Sequence, residues 1–273
     1  MKLPETPHTP SFYSTENEWA EFLALAPNYC ILQTELVKAL PAGAKNILDL
    51  GSATGDTVFR IAAKCKKAKV LATDVRSEVL LAAKQAALRK KVPNVSFQPA
   101  DMERVGKFLS AKRQQGVSFD VVTMLYSFHH LQDPLANKKR FAKELFKGLP
   151  KGATVVVADV CTMEKAGSKK YAESVREQWL GRWGYVFKGV RDSLLKRLQK
   201  SGVPNIDARV LAGRAAQKAA DLEGESGRFV EKRENEYPIT KEELLQIFKA
   251  AGFKTAKLTA VNGFGEVVLV AKK

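Results

Sequence analysis

The stretch Asn46–Asp56, NILDLGSATGD, constrains the fold of this chain more than any other. An apolar run (Ile47, Leu48, Leu50) ends in a turn of small residues, Gly51, Ser52, Ala53 and Gly55, and helix-compatible sequence from Asp56 to Ala63 follows at once. A buried strand, a glycine turn and a helix open a βαβ unit. Without side chains at Gly51 and Gly55, a ligand can lie against the backbone, beside N–H groups at a helix start. Asp49 puts a carboxylate at the strand's end, where it repels a pyrophosphate but can pair with a cation. The turn therefore reads as built for a ligand carrying positive charge, and only secondarily for a dinucleotide.

The alternation of strand and helix continues downstream. Lys69–Thr73 is a second strand ending in Asp74, and Ser77 reads as the cap of an amphipathic helix to Arg89. Val95–Phe97 is a short third strand, followed by Asp101 and Met102, with Asp101 suited to cap a helix over 102–109. Ser118–Leu125 is the fourth strand and leads into Tyr126-Ser127-Phe128-His129-His130-Leu131. Asp133 and Pro134 start a helix to Gly148, and Ala153–Asp159 is the fifth strand. Near the end, Thr240 and Glu243 form a capping box for a helix over 241–251 that Gly252 stops, and two strands follow over 253–260 and 266–271. Acids thus stand at three successive strand ends, Asp49, Asp74 and Asp101. A carboxylate has two acceptor oxygens and no donor, which suits Asp74 to a pair of ribose hydroxyls.

Asp49-x-Gly51-x-x-x-Gly55 resembles motif I of the class I S-adenosylmethionine (SAM)-dependent methyltransferases, with Ala53 where a middle glycine is usual. The FDVV of Phe119–Val122 resembles their motif IV, and YSFHHLQDP resembles small-molecule members near the quinone-biosynthesis type. Leu149-Pro150-Lys151-Gly152 is similar to the turn before their fifth strand. The resemblance implies an α/β fold: a Rossmann-like seven-stranded sheet, mostly parallel with the last strand antiparallel, carrying a helical cap insertion. It implies SAM as cofactor and S-adenosylhomocysteine (SAH) as product, held by Asp49, Gly51, Ser52, Gly55, Asp74 at the ribose, Val75, Asp101 at the adenine amino group, Met102 and the turn at Tyr126. His129 or His130 is the expected catalytic base toward a hydroxyl, imidazole being poised near neutral pH. The Asn/Asp-Pro-Pro-Tyr/Phe signature of enzymes that methylate exocyclic amines is absent, so methylation of a small molecule at oxygen or carbon is favoured.

Four segments are expected. Residues 1–45 form an N-terminal helical lid, with helices over 15–26 and 28–40, the second capped by Asn28, and with Phe12, Tyr13 and Trp19 as lid residues. Residues 46–160 form the SAM-binding core, 161–238 a helical substrate-cap insertion, and 239–273 the helix and strands that complete the core. The insertion carries Tyr171, Trp179, Trp183, Tyr185 and Phe187 among Arg176, Arg182, Lys188 and Arg191. Such a composition serves either a pocket for a flat or anionic substrate or the core of a helical subdomain. Tyr13, Trp179, Trp183 and Tyr185 are the expected substrate contacts. Gly224-Glu225-Ser226-Gly227 reads as a loop.

The net charge of +16 on 273 residues asks for a partner or a location. Most of it falls on residues 49–160, in clusters such as Lys64/Lys66/Lys67/Lys69, Arg89/Lys90/Lys91 and Lys138/Lys139/Arg140. These read as solvated helix ends, where cations favour the macrodipole. A nucleic-acid methyltransferase is the alternative that would use the charge, although no basic stripe is interleaved with aromatics. A non-catalytic SAM-binding protein is the other. No apolar run approaches a membrane span, and the first residues lack the pattern of a leader, so a cytoplasmic protein is expected. Cys30, Cys65 and Cys161 are odd in number and far apart, so neither a disulfide framework nor a zinc site is readable, and no metal is expected.

Overall fold

Strands that are apolar on both faces must be covered on both, and burial along this chain follows that rule. A computed structural model describes residues 27–132, 135–232 and 236–273. In it β1 (Asn46–Leu50), β4 (Val121–Leu125) and β5 (Thr154–Val160) are buried along almost their whole length. By contrast β3 (Val95–Pro99) and β6 (Thr255–Ala260) are half open to solvent. With β2 (Lys69–Asp74) and β7 (Glu266–Lys272) they form one sheet in the order β3-β2-β1-β4-β5-β7-β6, the continuous apolar strands central and the mixed ones at the edges. β7 runs antiparallel to both its neighbours, and the other pairings are parallel, as the sequence suggests. The strand order reverses between β1 and β4, the place where open sheets of this kind leave a crevice.

Helices cover both faces. α1 (Pro27–Ala39) and α2 (Asp56–Lys64) pack Leu32, Leu36, Val58 and Ile61 against Ile47, Val121 and Val156. On the opposite face lie α4 (Val105–Gln114) and α5 (Ala136–Gly148), whereas α3 (Ser77–Arg89) lies beside β2 and β3 next to α2, its Ala83 close to Gly55. Each of these fully buried leucines and isoleucines contributes on the order of 1.5–3 kcal/mol.

After β5 come two long helices, α6 (Tyr171–Lys200) and α7 (Asn205–Lys232), joined through residues 201–204. At 1.5 Å per residue α6 is about 45 Å long. The hairpin is fastened to the sheet at its base. Gln178 Nε2 donates to the carbonyls of Cys161 (2.7 Å) and Phe264 (2.8 Å) beside the strands, while the Tyr171 hydroxyl donates to Val230 O at 3.0 Å and ties the two helices to each other. α8 (Lys241–Ala251) then completes the second layer, opened by the expected capping box of Thr240 and Glu243 and closed by Gly252 at φ 110°. No described helix is long and apolar enough to cross a membrane.

Several local expectations differ from the structure. Gly224 and Gly227 lie inside α7, not in a loop, and at Gly227 the hairpin needs the missing side chain: a Cβ there would sit 2.6 Å from Trp179 Cγ. Ser77 is the first residue of α3 and not its cap, which falls on Arg76 without a side-chain bond. α1 begins at Pro27, so Asn28 lies in its first turn. Asp101 does act as a cap, its carboxylate accepting from Glu103 N at 2.9 Å, but over a 3-10 turn (Met102–Arg104) that precedes α4. Lys138 is not a solvated helix end. It is wholly buried, its ammonium donating to Leu131 O (2.7 Å) and His129 O (3.4 Å) and facing the rings of Phe128 and Tyr237. The lid helix with Phe12, Tyr13 and Trp19, and the helix start at Asp133 and Pro134, lie outside the described residues.

Candidate active site

The glycine turn is held from three sides. The amides of Gly51 and Ser52 donate to Thr73 O at 2.8 and 2.9 Å, which pins the turn to β2. Gly51 (φ 77°) approaches β4's exit so closely that a Cβ there would lie 2.5 Å from Ser127 Cβ. Gly55 (φ 87°) is the N-cap of α2 and offers no side chain to its first N–H groups. Ala53, in the place of the usual glycine, adopts φ 43°, a left-handed conformation that an alanine occupies only under constraint.

The constraint comes from the acids. Asp74 Oδ2 accepts the Ala53 amide at 2.9 Å and its Oδ1 accepts the Arg76 amide at 3.0 Å. Burial pushes the Asp74 carboxyl up, against these two hydrogen bonds and the charge of Arg76. Asp49 lies beneath the turn and is 2 % exposed. Its oxygens accept from Ser52 Oγ (2.6 Å) and Thr123 Oγ1 (2.5 Å), so it ties β1, β4 and the turn together. Burial pushes Asp49 up to about 6, and the two hydroxyls oppose that shift. Val75 is exposed beside Asp74, while Asp101 and Met102 are half-buried beyond β3. Asp49, Asp74 and Asp101 thus stand at or just beyond the carboxyl ends of β1, β2 and β3, Asp49 buried and the other two half-buried.

β4 and β5 supply a second group. Tyr126, at φ 46°, stacks on Tyr29 of α1 with ring centroids 5.7 Å apart, and its hydroxyl donates to Glu266 Oε1 at 3.1 Å. Buried His129 lies between two carboxylates: Nδ1 is 2.5 Å from Asp159 Oδ1 and Nε2 is 3.0 Å from Glu236 Oε2. Desolvation works against its charge, but the two acids outweigh it and push the imidazole up to about 10, holding both acids down in turn. Both ring nitrogens are engaged by carboxylates, which holds His129 as the partner of Asp159 and Glu236 and bears against its use as a base. His130 is the exposed member of the pair, its ring 4.1 Å from that of His129.

The insertion's aromatic residues have different partners. Trp179 is 4 % exposed, wedged between Gly227 and the Arg182 guanidinium and packed with Val160, Tyr171, Val175 and Val230. Trp183 stacks on Phe187 at 5.5 Å, and Tyr185 turns to Phe264 at 5.3 Å. Packing between the two helices accounts for Trp179, so the substrate contact expected of it is corrected to a core role. The insertion's arginines Arg176, Arg182 and Arg191 are paired as well. Arg176 meets Glu231 at the surface, whereas Arg182 is buried on Glu266, which Tyr126 also contacts. Sequence reasoning missed Asp159, Glu236, Glu266 and Tyr29. Asp159 alone had a readable signal: it is one more acid at the end of a parallel strand.

A family profile described as a methyltransferase domain, Methyltransf_31, matches residues 42–252. No curated protein matches the chain by sequence. Among solved structures, human N-acetylserotonin methyltransferase in complex with SAM superposes with a TM-score of 0.55 at 13% identity, covering 96% of this chain and 57% of that one. PigF with SAH gives 0.54 at 11%, covering 93% and 65%, so the chain spans less than two thirds of either protein. A SAM-dependent methyltransferase from Aquifex aeolicus matches nearly end to end, 92% and 96%, with a TM-score of 0.52 and 16% identity. At such identities these likenesses show the fold, while the profile covers most of the chain, which belongs to the methyltransferase-domain family within the class I SAM-dependent superfamily.

Proposed function

We propose that this chain transfers a methyl group from SAM to a small-molecule acceptor, at oxygen or carbon. The observation that carries the reading is that Asp49, Asp74 and Asp101 follow one another at the carboxyl ends of β1, β2 and β3, the first two bonded to the Gly51–Gly55 turn, on the side of the sheet next to the β1/β4 reversal. Asp74 would accept the ribose hydroxyls with the lone pairs left over from Ala53 and Arg76. Asp101 and Met102 would hold the adenine, with Val75 beside it. Gly51, Ser52 and Gly55 would take the amino-acid end against bare backbone, over the negative charge of Asp49. Bound there, SAM supplies an electrophilic methyl on a sulfonium.

Tyr126 and His130 would border the acceptor's approach, beneath the base of the α6/α7 hairpin, with Trp183 and Tyr185 as its aromatic members. Such a transfer asks the protein mainly to exclude water and to hold the nucleophile in line. Calorimetric titration with SAH, with NAD as control, tests the cofactor; saturable binding of SAH alone is expected. Asp74→Ala should weaken it by about 1–3 kcal/mol, the scale of losing hydrogen bonds to a charged acceptor. Unchanged affinity in that variant would remove the ribose assignment. Methyl transfer from labelled SAM to phenolic, quinol and carboxylate acceptors, but not to RNA or DNA, is the expected outcome for the acceptor class.

A further inference from the structure

Three side chains beside this crevice form a constellation that methyl transfer does not require. Potential ligand atoms of His129, His130 and Glu236 all lie within 4.8 Å of one another. We infer that they bind a divalent transition-metal cation of the zinc type, through His129 Nε2, an imidazole nitrogen of His130 and a carboxylate oxygen of Glu236. Metal–ligand bonds of roughly 2.0–2.2 Å in a tetrahedral site put donor atoms about 3.4 Å apart. The 3.0 Å between His129 Nε2 and Glu236 Oε2 is already at that scale. His130 is the exposed ligand, and a shift of its ring would close what remains of the 4.8 Å span.

Asp159 makes the cluster more than a chance meeting of polar groups. It accepts from His129 Nδ1 at 2.5 Å, from the Val160 amide at 2.7 Å and from the His129 amide at 3.0 Å. That grip fixes the ring's orientation and keeps hydrogen on Nδ1, so the proton that Nε2 shares with Glu236 is the one a bound metal ion displaces. A carboxylate behind a ligating histidine is a recurring orienting device of metal sites. Lys138, the other buried cation nearby, bonds backbone carbonyls of His129 and Leu131 and so leaves the ring nitrogens alone. Two nitrogen donors out of three favour zinc, cobalt or iron over magnesium or calcium. Three protein ligands would leave a further position of a four-coordinate ion, where an acceptor oxygen would be polarised.

Metal binding stands apart from the cofactor reading and is tested without SAM. The full-length chain, stripped with a chelator, is titrated with cobalt(II) and followed by its visible d–d absorption. A saturable 1:1 spectrum of four- or five-coordinate cobalt, displaced by zinc, is expected. His130→Ala and Glu236→Gln should each weaken binding at least ~10-fold, and Asp159→Asn by ~10–100-fold. His130 is exposed, so its variant should keep the wild-type melting curve even where Glu236→Gln does not fold. Absence of saturable cobalt binding would overturn the inference. So would affinity unchanged in His130→Ala, or thiolate charge-transfer bands that vanish in Cys30→Ser or Cys65→Ser. SAH titration in chelator separates this result from the fate of the cofactor assignment.

Discussion

The Asp74 carboxylate accepts the amide of Ala53, 2.9 Å away, and Ala53 is held in a left-handed conformation at φ 43°. The bond explains how the turn tolerates a side chain where the family motif has glycine. Left-handed backbone costs an L-residue about 1–2 kcal/mol, and glycine escapes that cost while losing some of it to chain entropy. Ala53→Gly should therefore raise stability by up to ~1 kcal/mol. Asp74→Ala, which frees two amides, should lower it by about 1–3 kcal/mol. Urea titration measures both. A destabilised Ala53→Gly would mean that the alanine methyl packs and the backbone is not strained.

Asp49 gives stability an unusual pH dependence. Its ordinary value of 3.8 is pushed up to about 6 by burial, with Asp74 the facing charge that adds to the shift. A carboxyl raised in the folded state binds its proton more tightly there than in the unfolded chain. Its contribution is thus favourable at low pH and is lost as pH rises from about 4 through 6, by roughly 3 kcal/mol. Asp49→Asn should remove that slope. The informative quantity is the wild-type minus variant difference in unfolding free energy between pH 4 and 7. A difference that stays flat, or rises with pH, would contradict the burial account.

How much of this was legible in the sequence follows from what each feature depends on. The strands themselves, the capping box at Thr240 and the acids Asp49, Asp74 and Asp101 rest on local pattern, such as an apolar run that ends in a polar residue at a turn, whereas the architecture of the sheet came only from the family resemblance. Asp159 obeys the same pattern, but no motif drew attention to it. Glu236 meets His129 only because α7 carries the chain back across the strand ends, and no spacing encodes that return. Lys138 shows the same limit from the other side. Its neighbours Lys139 and Arg140 are exposed as a basic cluster suggests, while one position of the same helix turns inward under carbonyls. The glycines of α7 misled because glycine has two uses, a bend or a close approach, and only the packing of Trp179 distinguishes them.

That second use makes a paired prediction within one helix. A methyl at Gly227 would lie 2.6 Å from Trp179 Cγ, whereas at Gly213 nothing lies within 4 Å. Gly227→Ala forces α6 and α7 apart and should destabilise by about 1–3 kcal/mol, the usual scale of overpacking. Gly213→Ala adds only helix propensity and should stabilise by about 0.5–1 kcal/mol. Thermal melts of the two variants should move in opposite directions. If both rose, the loop reading of 224–227 would be wrong but so would the close contact with Trp179.

The bond between Arg182 and Glu266 ties the α6/α7 hairpin to the first residue of β7, next to the Tyr126 hydroxyl. Both partners are buried, Arg182 at 5 % exposure and Glu266 at 0 %. Taking one charge away strands the other in a low-dielectric interior, so Arg182→Met or Glu266→Leu alone should cost about 3–5 kcal/mol. Changing both at once removes the stranded charge, and the double variant should recover much of that loss despite having two substitutions. The cycle has a functional reading as well. Tyr126 shares Glu266 with Arg182 and stacks on Tyr29, so Glu266→Leu should loosen the tyrosine that borders the crevice and weaken SAH binding, while Arg182→Met leaves the Tyr126–Glu266 bond in place and weakens it less. Additive stabilities across the cycle would show that the two charges are not coupled, and equal SAH affinities would show that Tyr126 is held by its stacking on Tyr29 alone.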